Sequence, residues 1–193
     1  LAGRLLADLG ADVTLVEPPG GVHTRQLAPF VDDEAGPERS YQHLYVNANK
    51  RSVVLDLDAV EDAARFRALA RGADVLIETG HPDAMAQRGL GYDDLRAENP
   101  GLVYLSISPY GRRGPRRDWR ATDLTASAAG GLLQLMGEPE DPPTHGPASP
   151  AYTMSGLTAA TGALVALHGR EHGGAGSGVH IDISMQEATS FAV

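Results

Sequence analysis

The apolar residues of this chain fall into short runs that alternate with longer, helix-like segments. Runs rich in Val, Leu and Ile predict five β-strands, at residues 13–17, 52–57, 73–78, 101–108 and 179–184. Apolar positions at helical spacing predict helices, at residues 1–10, 60–71, 123–136 and 152–170. Strands that alternate with helices are typical of a parallel sheet covered on both faces, so the predicted fold class is α/β.

The composition narrows the classes of function. The 193 residues suffice for one domain with a core, and no apolar run approaches the roughly 20 residues that a membrane span needs. The net charge of −9 argues against a general nucleic-acid binder, which needs a basic face. The absence of cysteine excludes disulfides, zinc-thiolate sites and thiol nucleophiles, and it favours a cytoplasmic location.

Two segments near the start of the chain place cations where ligands of open α/β sheets bind, beyond the ends of strands. PPGGVHTR follows the first strand, and its Arg25 either pairs with a phosphate or belongs to an ordinary surface turn. NANKRS places Lys50 beside Arg51. Adjacent cations are usually just solvated, yet Lys50 is the only lysine among sixteen basic residues, which hints that a point charge is required there.

Two later segments also follow predicted strands. Thr79 and Gly80 present backbone at the entrance of a short helix that Pro82 can start. Residues 111–120 form the arginine-rich segment GRRGPRRDWR. This segment either binds phosphates and stacks on a purine through Trp119, or it is a solvated or subunit-contacting loop.

Several common sites are missing from the sequence. Neither a glycine-rich dinucleotide fingerprint nor a P-loop follows any predicted strand, so NAD and ATP chemistry lose support. Four histidines, His145, His168, His172 and His180, are spread without the spacing of a metal site, which favours structural roles for them.

Taken in order, six segments resemble the class III CoA-transferases of the CaiB/BaiF kind: LAGRLLADLGADVTLVEPPGG, NANKRSVVLDL, ADVLIE, GLGYDDLRAENPGLVYLSISPYGRRGP, TDLTASAAGGLL and LVALHGREHGGAGSGVHIDISMQEA. The resemblance runs over nearly the whole chain. It implies a Rossmann-like domain, a second, smaller domain, and two chains interlocked in a dimer. Residues 1–193 are then expected to be a partial family III domain, the CoA-binding lobe without its first strand and its C-terminal half.

The resemblance also implies a reaction that moves CoA from an acyl-CoA thioester to a carboxylic acid. An enzyme carboxylate attacks the thioester to give a mixed anhydride, and the released CoA thiolate then forms an enzyme thioester that passes CoA to the acceptor. Coenzyme A and acyl-CoA are substrates in this scheme, and no cofactor stays bound permanently. CoA carries several phosphate charges, which suit a locally basic cleft in an acidic protein.

The residues that the resemblance assigns to CoA are partly altered in this chain. Arg25 and Lys50 fall where the family contacts CoA. Thr79 and Gly80 occupy the place of an Asn followed by an aromatic or basic residue, and Gln87 occupies that of a common basic residue. Arg112 or Arg113 is a candidate to compensate.

The main departure concerns the nucleophile. In the family an Asp stands four residues before a helix glycine, and the corresponding position here is Tyr152. A phenol with a pKa near 10 is a poor substitute for a carboxylate at neutral pH. Asp123 matches a common family Asp and is interpreted as a helix N-cap, and Asp182 as structural. A different register in the preceding loop would instead bring Glu140 or Asp141 to the site.

Two functions remain open. The chain is either part of a CoA-transferase whose catalytic carboxylate comes from a second half or a paired chain, in an interlocked homodimer or a heteromer with a related chain. Alternatively, it is a non-catalytic protein of the same fold that binds CoA or acyl-CoA.

Overall fold

Two all-parallel sheets form the framework, one in each of the two units into which the chain divides, Leu1–Leu69 and Ala70–Val193. The structure is a computed structural model and describes residues 1–138, 140–173, 176–191 and 193. Within these ranges no helix combines the length and the apolar composition that crossing a membrane requires.

The first unit is built around a pair of parallel strands. Its elements are α1 (Ala2–Asp8), β1 (Val13–Glu17), α2 (Tyr41–Asn47), β2 (Lys50–Val54) and α3 (Val60–Arg71), with 3-10 turns at His23–Gln26 and Val31–Asp33. Glu17 lies opposite Val54 in the register of β1 and β2. Ser40 begins α2 by accepting a hydrogen bond on Oγ from the His43 amide at 3.2 Å.

The second unit contains a three-stranded sheet in the order β3-β4-β5. Its elements are β3 (Val75–Thr79), α4 (Ala84–Gln87), α5 (Tyr92–Arg96), β4 (Val103–Ser108), α6 (Asp123–Ala129), α7 (Pro150–His172), β5 (His180–Ser184) and α8 (Met185–Ser190), with a 3-10 turn at Leu132–Leu135. The central strand β4 is buried at all six positions.

The sheet of the second unit has an apolar and a polar face. Leu105 pairs with Ile181, and α7 covers this side, since a Cβ on Gly162 would lie 3.7 Å from the Ile181 side chain. Small residues let α7 pack closely: Ala151, Ser155, Ala159 and Ala163 are all buried at four-residue spacing. The opposite face carries the alternate residues, of which Tyr104 and Ser106 are buried.

The structure confirms the α/β class and the parallel pairing, and it corrects several bounds. The strand expected at 52–57 is β2 at Lys50–Val54. The strands form two sheets among the described residues rather than one. The helix expected at 123–136 ends at Ala129, because Gly131 has a φ of +89° that no α-helix accommodates.

Candidate functional site

The first unit contains a pocket of about 210 Å³ whose lining is rich in cations. Arg25, Lys50 and Arg51 line it, together with His43 and Asn47 of α2. The two cations that the sequence assigned to CoA, Arg25 and Lys50, therefore meet at one pocket. Glu38 also lines the pocket, so its three cations outnumber one carboxylate, and this excess of positive charge suits an anionic group on a ligand.

The turn after β1 determines where Arg25 points. Gly20 and Gly21 have φ values of +90° and +82°, and the Gly21 amide donates to the Pro18 carbonyl at 2.9 Å. A Cβ on Gly21 would lie 2.7 Å from Arg25 Cδ. Glycine is thus needed at position 21 both for the backbone conformation and for the return of Arg25 toward the strand.

Arg25 is already occupied by two carboxylates. Its Nη2 and Nε donate to the two oxygens of Glu17 at 2.6 and 2.7 Å, and its Nη1 donates to Glu38 at 2.5 Å. The side chains of Arg25 and Glu17 are only 12% and 1% exposed. The hydrogen bonds from Arg25 lower the pKa of Glu17 to about 2, and the same contacts raise the pKa of Arg25.

Acid is expected to weaken this pair. Because the pKa of Glu17 falls from 4.5 to about 2 on folding, its contribution is complete above about pH 4.5 and is lost as the pH falls through 2. That contribution is roughly 3 kcal/mol at neutral pH. Urea unfolding of the complete protein from pH 7 to pH 2 measures it, with Glu17→Gln as the reference that lacks the titration. Equal losses of stability in both proteins would contradict the assignment.

Lys50 is held differently, by neutral partners. Its Nζ donates to Asn47 Oδ1 at 2.7 Å, and the Asn47 amide donates to His43 Nδ1 at 3.0 Å. Burial, and secondarily the charge of Arg4, lower the pKa of Lys50. Among the ion pairs of the described residues Lys50 takes part in none, whereas Arg51 pairs with Asp12. Its ammonium charge is therefore available to an anion.

His43 completes this chain of neutral groups. Its side chain is buried, and Nδ1 also contacts Thr24 Oγ1 at 2.8 Å. Burial, and secondarily Arg25, lower the pKa of His43, so the ring stays neutral and Nδ1 accepts from Asn47. The hydrogen bond from Asn47 to His43 fixes the Asn47 amide so that its oxygen faces Lys50.

The other three residues assigned to CoA lie in the second unit. Thr79 ends β3, Gly80 follows it with a φ of +142°, and Gln87 ends α4. All three are exposed, and a Cβ on Gly80 would meet no atom within 4 Å. They are accessible to a ligand, but the structure does not place them in the pocket that contains Arg25 and Lys50.

The polar face of the second sheet carries a network that the sequence analysis missed. Ser106 Oγ lies 2.7 Å from Glu78 Oε1 and 2.8 Å from His180 Nε2, beside a pocket of about 150 Å³. Burial raises the pKa of Glu78 and lowers that of His180. Arg112 lies 3.4 Å from Glu78. Ser106 is buried in mid-strand, so it links these groups and is not placed to attack a ligand.

A period-two pattern in the sequence could have revealed this network. In VYLSIS and VHIDIS every second residue is polar, so Ser106 and His180 must share one face of the sheet. Arg112, which the sequence offered as a compensating cation, is committed to Glu78, and its amide donates to Asp182 at 2.9 Å. The structural interpretation of Asp182 agrees with this contact. Arg113 is exposed.

The first turn of α7 carries Tyr152, the residue at the expected nucleophile position. Tyr152 is 44% exposed, and its amide donates to Asp123 Oδ1 at 2.8 Å. The other oxygen of Asp123 lies 2.7 Å from His145 Nε2. The interpretation of Asp123 as an N-cap is wrong: Thr122 caps α6, and Asp123 binds the first turn of α7 instead. Glu140 and Asp141 are both exposed in the preceding loop.

Known proteins similar to this chain are CoA-transferases. The chain is 37% identical to the succinyl-CoA:(R)-benzylsuccinate CoA-transferase subunit BbsE of Thauera aromatica, over 98% of the chain and 46% of that protein. It is also 37% identical to a succinate–glutarate CoA-transferase of Agrobacterium fabrum, over 98% of the chain and 48% of that protein. The chain thus spans about half the length of these relatives.

A solved structure and a family model agree with these relatives. The crystal structure of a CAIB/BAIF family protein from Brucella suis superposes with a TM-score of 0.90 at 34% identity, over 98% of this chain and 50% of that one. The model of CoA-transferase family III matches residues 1–192. The match runs through both units, including the pocket that contains Lys50 and the helix that carries Tyr152, and the chain belongs to CoA-transferase family III.

Proposed function

We propose that the whole protein moves CoA between an acyl-CoA thioester and a carboxylic acid, and that the basic pocket of the first unit binds part of the CoA. The observation that carries this proposal is Lys50, a half-buried cation without a carboxylate partner among the described residues. CoA is an anion by virtue of its phosphates, and a desolvated cation attracts an anion more strongly than a cation in water does. CoA and acyl-CoA are substrates here, and no resident cofactor is part of the proposal.

Lys50 is the central CoA contact in this proposal. Arg25 supports the pocket through Glu17, and it can contact a phosphate only where Glu38, whose side chain is 72% exposed, gives way. Thr79, Gly80 and Gln87 are proposed as further contacts, with weaker attraction for phosphate because none of them carries a charge.

The catalytic carboxylate is proposed to come from outside these residues. Tyr152 occupies the position of the attacking Asp, so a second half or a paired chain must supply the group. An assembly with a related chain fits this requirement, and one relative is itself named as a subunit. An interlocked homodimer is the other arrangement we propose. A cytoplasmic location remains a prediction.

A non-catalytic role in CoA binding is the second candidate, and Tyr152 is the observation that favours it. An assay of CoA transfer between succinyl-CoA and a series of carboxylic acids separates the two functions. Transfer by the complete protein, alone or with a related chain, supports the enzyme. Binding of CoA without transfer in either preparation supports the binding protein.

Replacing Lys50 with methionine is expected to weaken CoA binding about tenfold, since one charge-assisted contact to a phosphate contributes roughly 1.4 kcal/mol. Isothermal titration of the complete protein with CoA measures the change. Asn47→Asp should also weaken binding, because it places a carboxylate 2.7 Å from the Lys50 ammonium with almost no change of shape.

Arg65→Met is the matched control for this experiment. Arg65 lies on α3 of the same unit, its side chain is 69% exposed, and its loss changes the net charge by the same amount. The proposal requires its CoA affinity to stay within twofold of the parent. Equal losses of CoA affinity in Lys50→Met and Arg65→Met would show that only the net charge affects binding. Lys50 would then not be a contact of CoA.

A further inference from the structure

A buried aspartate and a partly exposed histidine are held together at the start of α7. Asp123 is 8% exposed, and its oxygens accept from His145 Nε2 at 2.7 Å and from the Tyr152 amide at 2.8 Å. The carboxylate is fixed on two sides, so the imidazole that donates to it has one preferred orientation. This is the arrangement by which an aspartate orients a histidine that acts as a base.

The free nitrogen of this histidine can accept a proton. Because Nε2 donates to Asp123, the lone pair lies on Nδ1. Nδ1 makes no hydrogen bond within the part of the chain that the structure describes, and the side chain is 39% exposed. The side chain is therefore partly open to solvent, and its hydrogen bond to Asp123 orients the ring.

The other histidines with buried surroundings or carboxylate partners lack this combination. His43 is buried, and its Nδ1 contacts Thr24 and Asn47. His180 Nε2 is bound to Ser106. His81 lies 3.4 Å from Asp118, but that carboxylate is 64% exposed and is shared with an arginine. Among the residues that the structure describes, a histidine with an unbonded ring nitrogen paired to a buried carboxylate thus occurs at the start of α7.

We propose that His145, positioned by Asp123, acts as a general base that hydrolyses acyl-CoA thioesters. The inference rests on the proposed function, in which the thioester reaches the first turn of α7 beside Tyr152. Nδ1 takes a proton from water as the water oxygen forms a bond to the thioester carbon. The carbon–sulfur bond then breaks, and the CoA thiolate takes the proton from Nδ1, leaving free acid and CoA. No group on the enzyme becomes acylated.

The test is thiol release from acetyl-CoA and succinyl-CoA by the complete protein in buffer without any acceptor carboxylic acid. The 193 residues contain no cysteine, so they add no thiol to the signal. His145→Gln keeps an N–H donor toward Asp123 but has no basic nitrogen, and it should reduce kcat by about 10²-fold or more with KM unchanged. His145→Ala should recover activity when imidazole is added, which a merely structural residue would not.

Two further variants complete the experiment. Asp123→Asn can still accept from the Tyr152 amide, but its NH₂ group faces His145 and forces the proton onto Nδ1. It should lower kcat as His145→Gln does, with no recovery in imidazole. His168→Gln changes an exposed histidine of α7 and should leave thiol release as in the parent.

Thiol release that is absent from the parent, or equal in the parent and His145→Gln, would overturn the hydrolytic role. Calorimetry separates the two proposals. Acyl-CoA binding without His145-dependent hydrolysis defeats this inference alone, whereas the absence of binding defeats both it and the proposed function.

Discussion

Replacing Arg25 with methionine is expected to lower the free energy of unfolding by about 3–5 kcal/mol, because it leaves a buried carboxylate without its counterion. Glu17 is 1% exposed, and Arg25 supplies two of its hydrogen bonds. Ser52 and the Val22 amide also donate to Glu17, but they are neutral and cannot compensate its charge. Chemical denaturation of the complete protein, followed by far-UV circular dichroism, measures the loss.

Arg51→Met is the matched control, since it removes a guanidinium that also pairs with a carboxylate. Arg51 and Asp12 are 71% and 68% exposed, and solvated pairs of this kind contribute about 0–1 kcal/mol. Similar decreases in the free energy of unfolding of Arg25→Met and Arg51→Met would contradict the structural role of Arg25. Should Arg25→Met instead keep its stability and lose CoA binding, Arg25 would be a direct ligand contact.

The local elements of the fold could be predicted where local chemistry determines them. The strand Val13–Glu17 is a short apolar run closed by two prolines and two glycines, and the helix Val60–Arg71 has acids in its first turn and Arg71 in its last. Such signals are complete within a few residues. Both elements therefore have the bounds that the sequence predicts.

Features set by distant residues could not be predicted in this way. The helix from Asp123 ends at Ala129 beside Gly130, where a Cβ would lie 2.7 Å from Thr189 of α8. Nothing near Gly130 in the sequence indicates that a later helix packs there. The division of the strands into two sheets is likewise a matter of long-range pairing, which short apolar runs do not specify.

For the candidate site, the sequence indicates which residues to consider but not which contacts they make. Arg25 and Lys50 were both singled out, and the structure places both at one pocket. The sequence could not show that Arg25 turns inward, since this depends on the positive φ of Gly21 and on a carboxylate eight residues away. In the same way, Thr122 and Asp123 are both capping residue types, and only the approach of α7 decides which of them caps α6.

The role of His145 illustrates the same limit. In the sequence analysis His145 has a structural role, because its contact with Asp123, 22 residues earlier in the chain, cannot be read from the sequence. The structure joins both His145 and Tyr152 to Asp123, which contacts His145 Nε2 at 2.7 Å and accepts from the Tyr152 amide at 2.8 Å. The hydrolysis proposed for His145 requires no carboxylate at position 152.

Tyr152→Asp is expected to create a covalent acyl adduct at residue 152, where the parent forms none. A phenol holds its proton far too tightly at neutral pH to attack a thioester as a carboxylate does, whereas an aspartate in the same exposed turn is ionised and can form the anhydride. The complete protein is incubated with succinyl-CoA, trapped with hydroxylamine or borohydride, and mapped by mass spectrometry. Tyr152→Asn, with the shape of aspartate but no nucleophilic oxygen of comparable strength, is the control and should give no adduct at residue 152. An adduct on Glu140 or Asp141 in the parent would show that the loop, and not position 152, supplies the nucleophile.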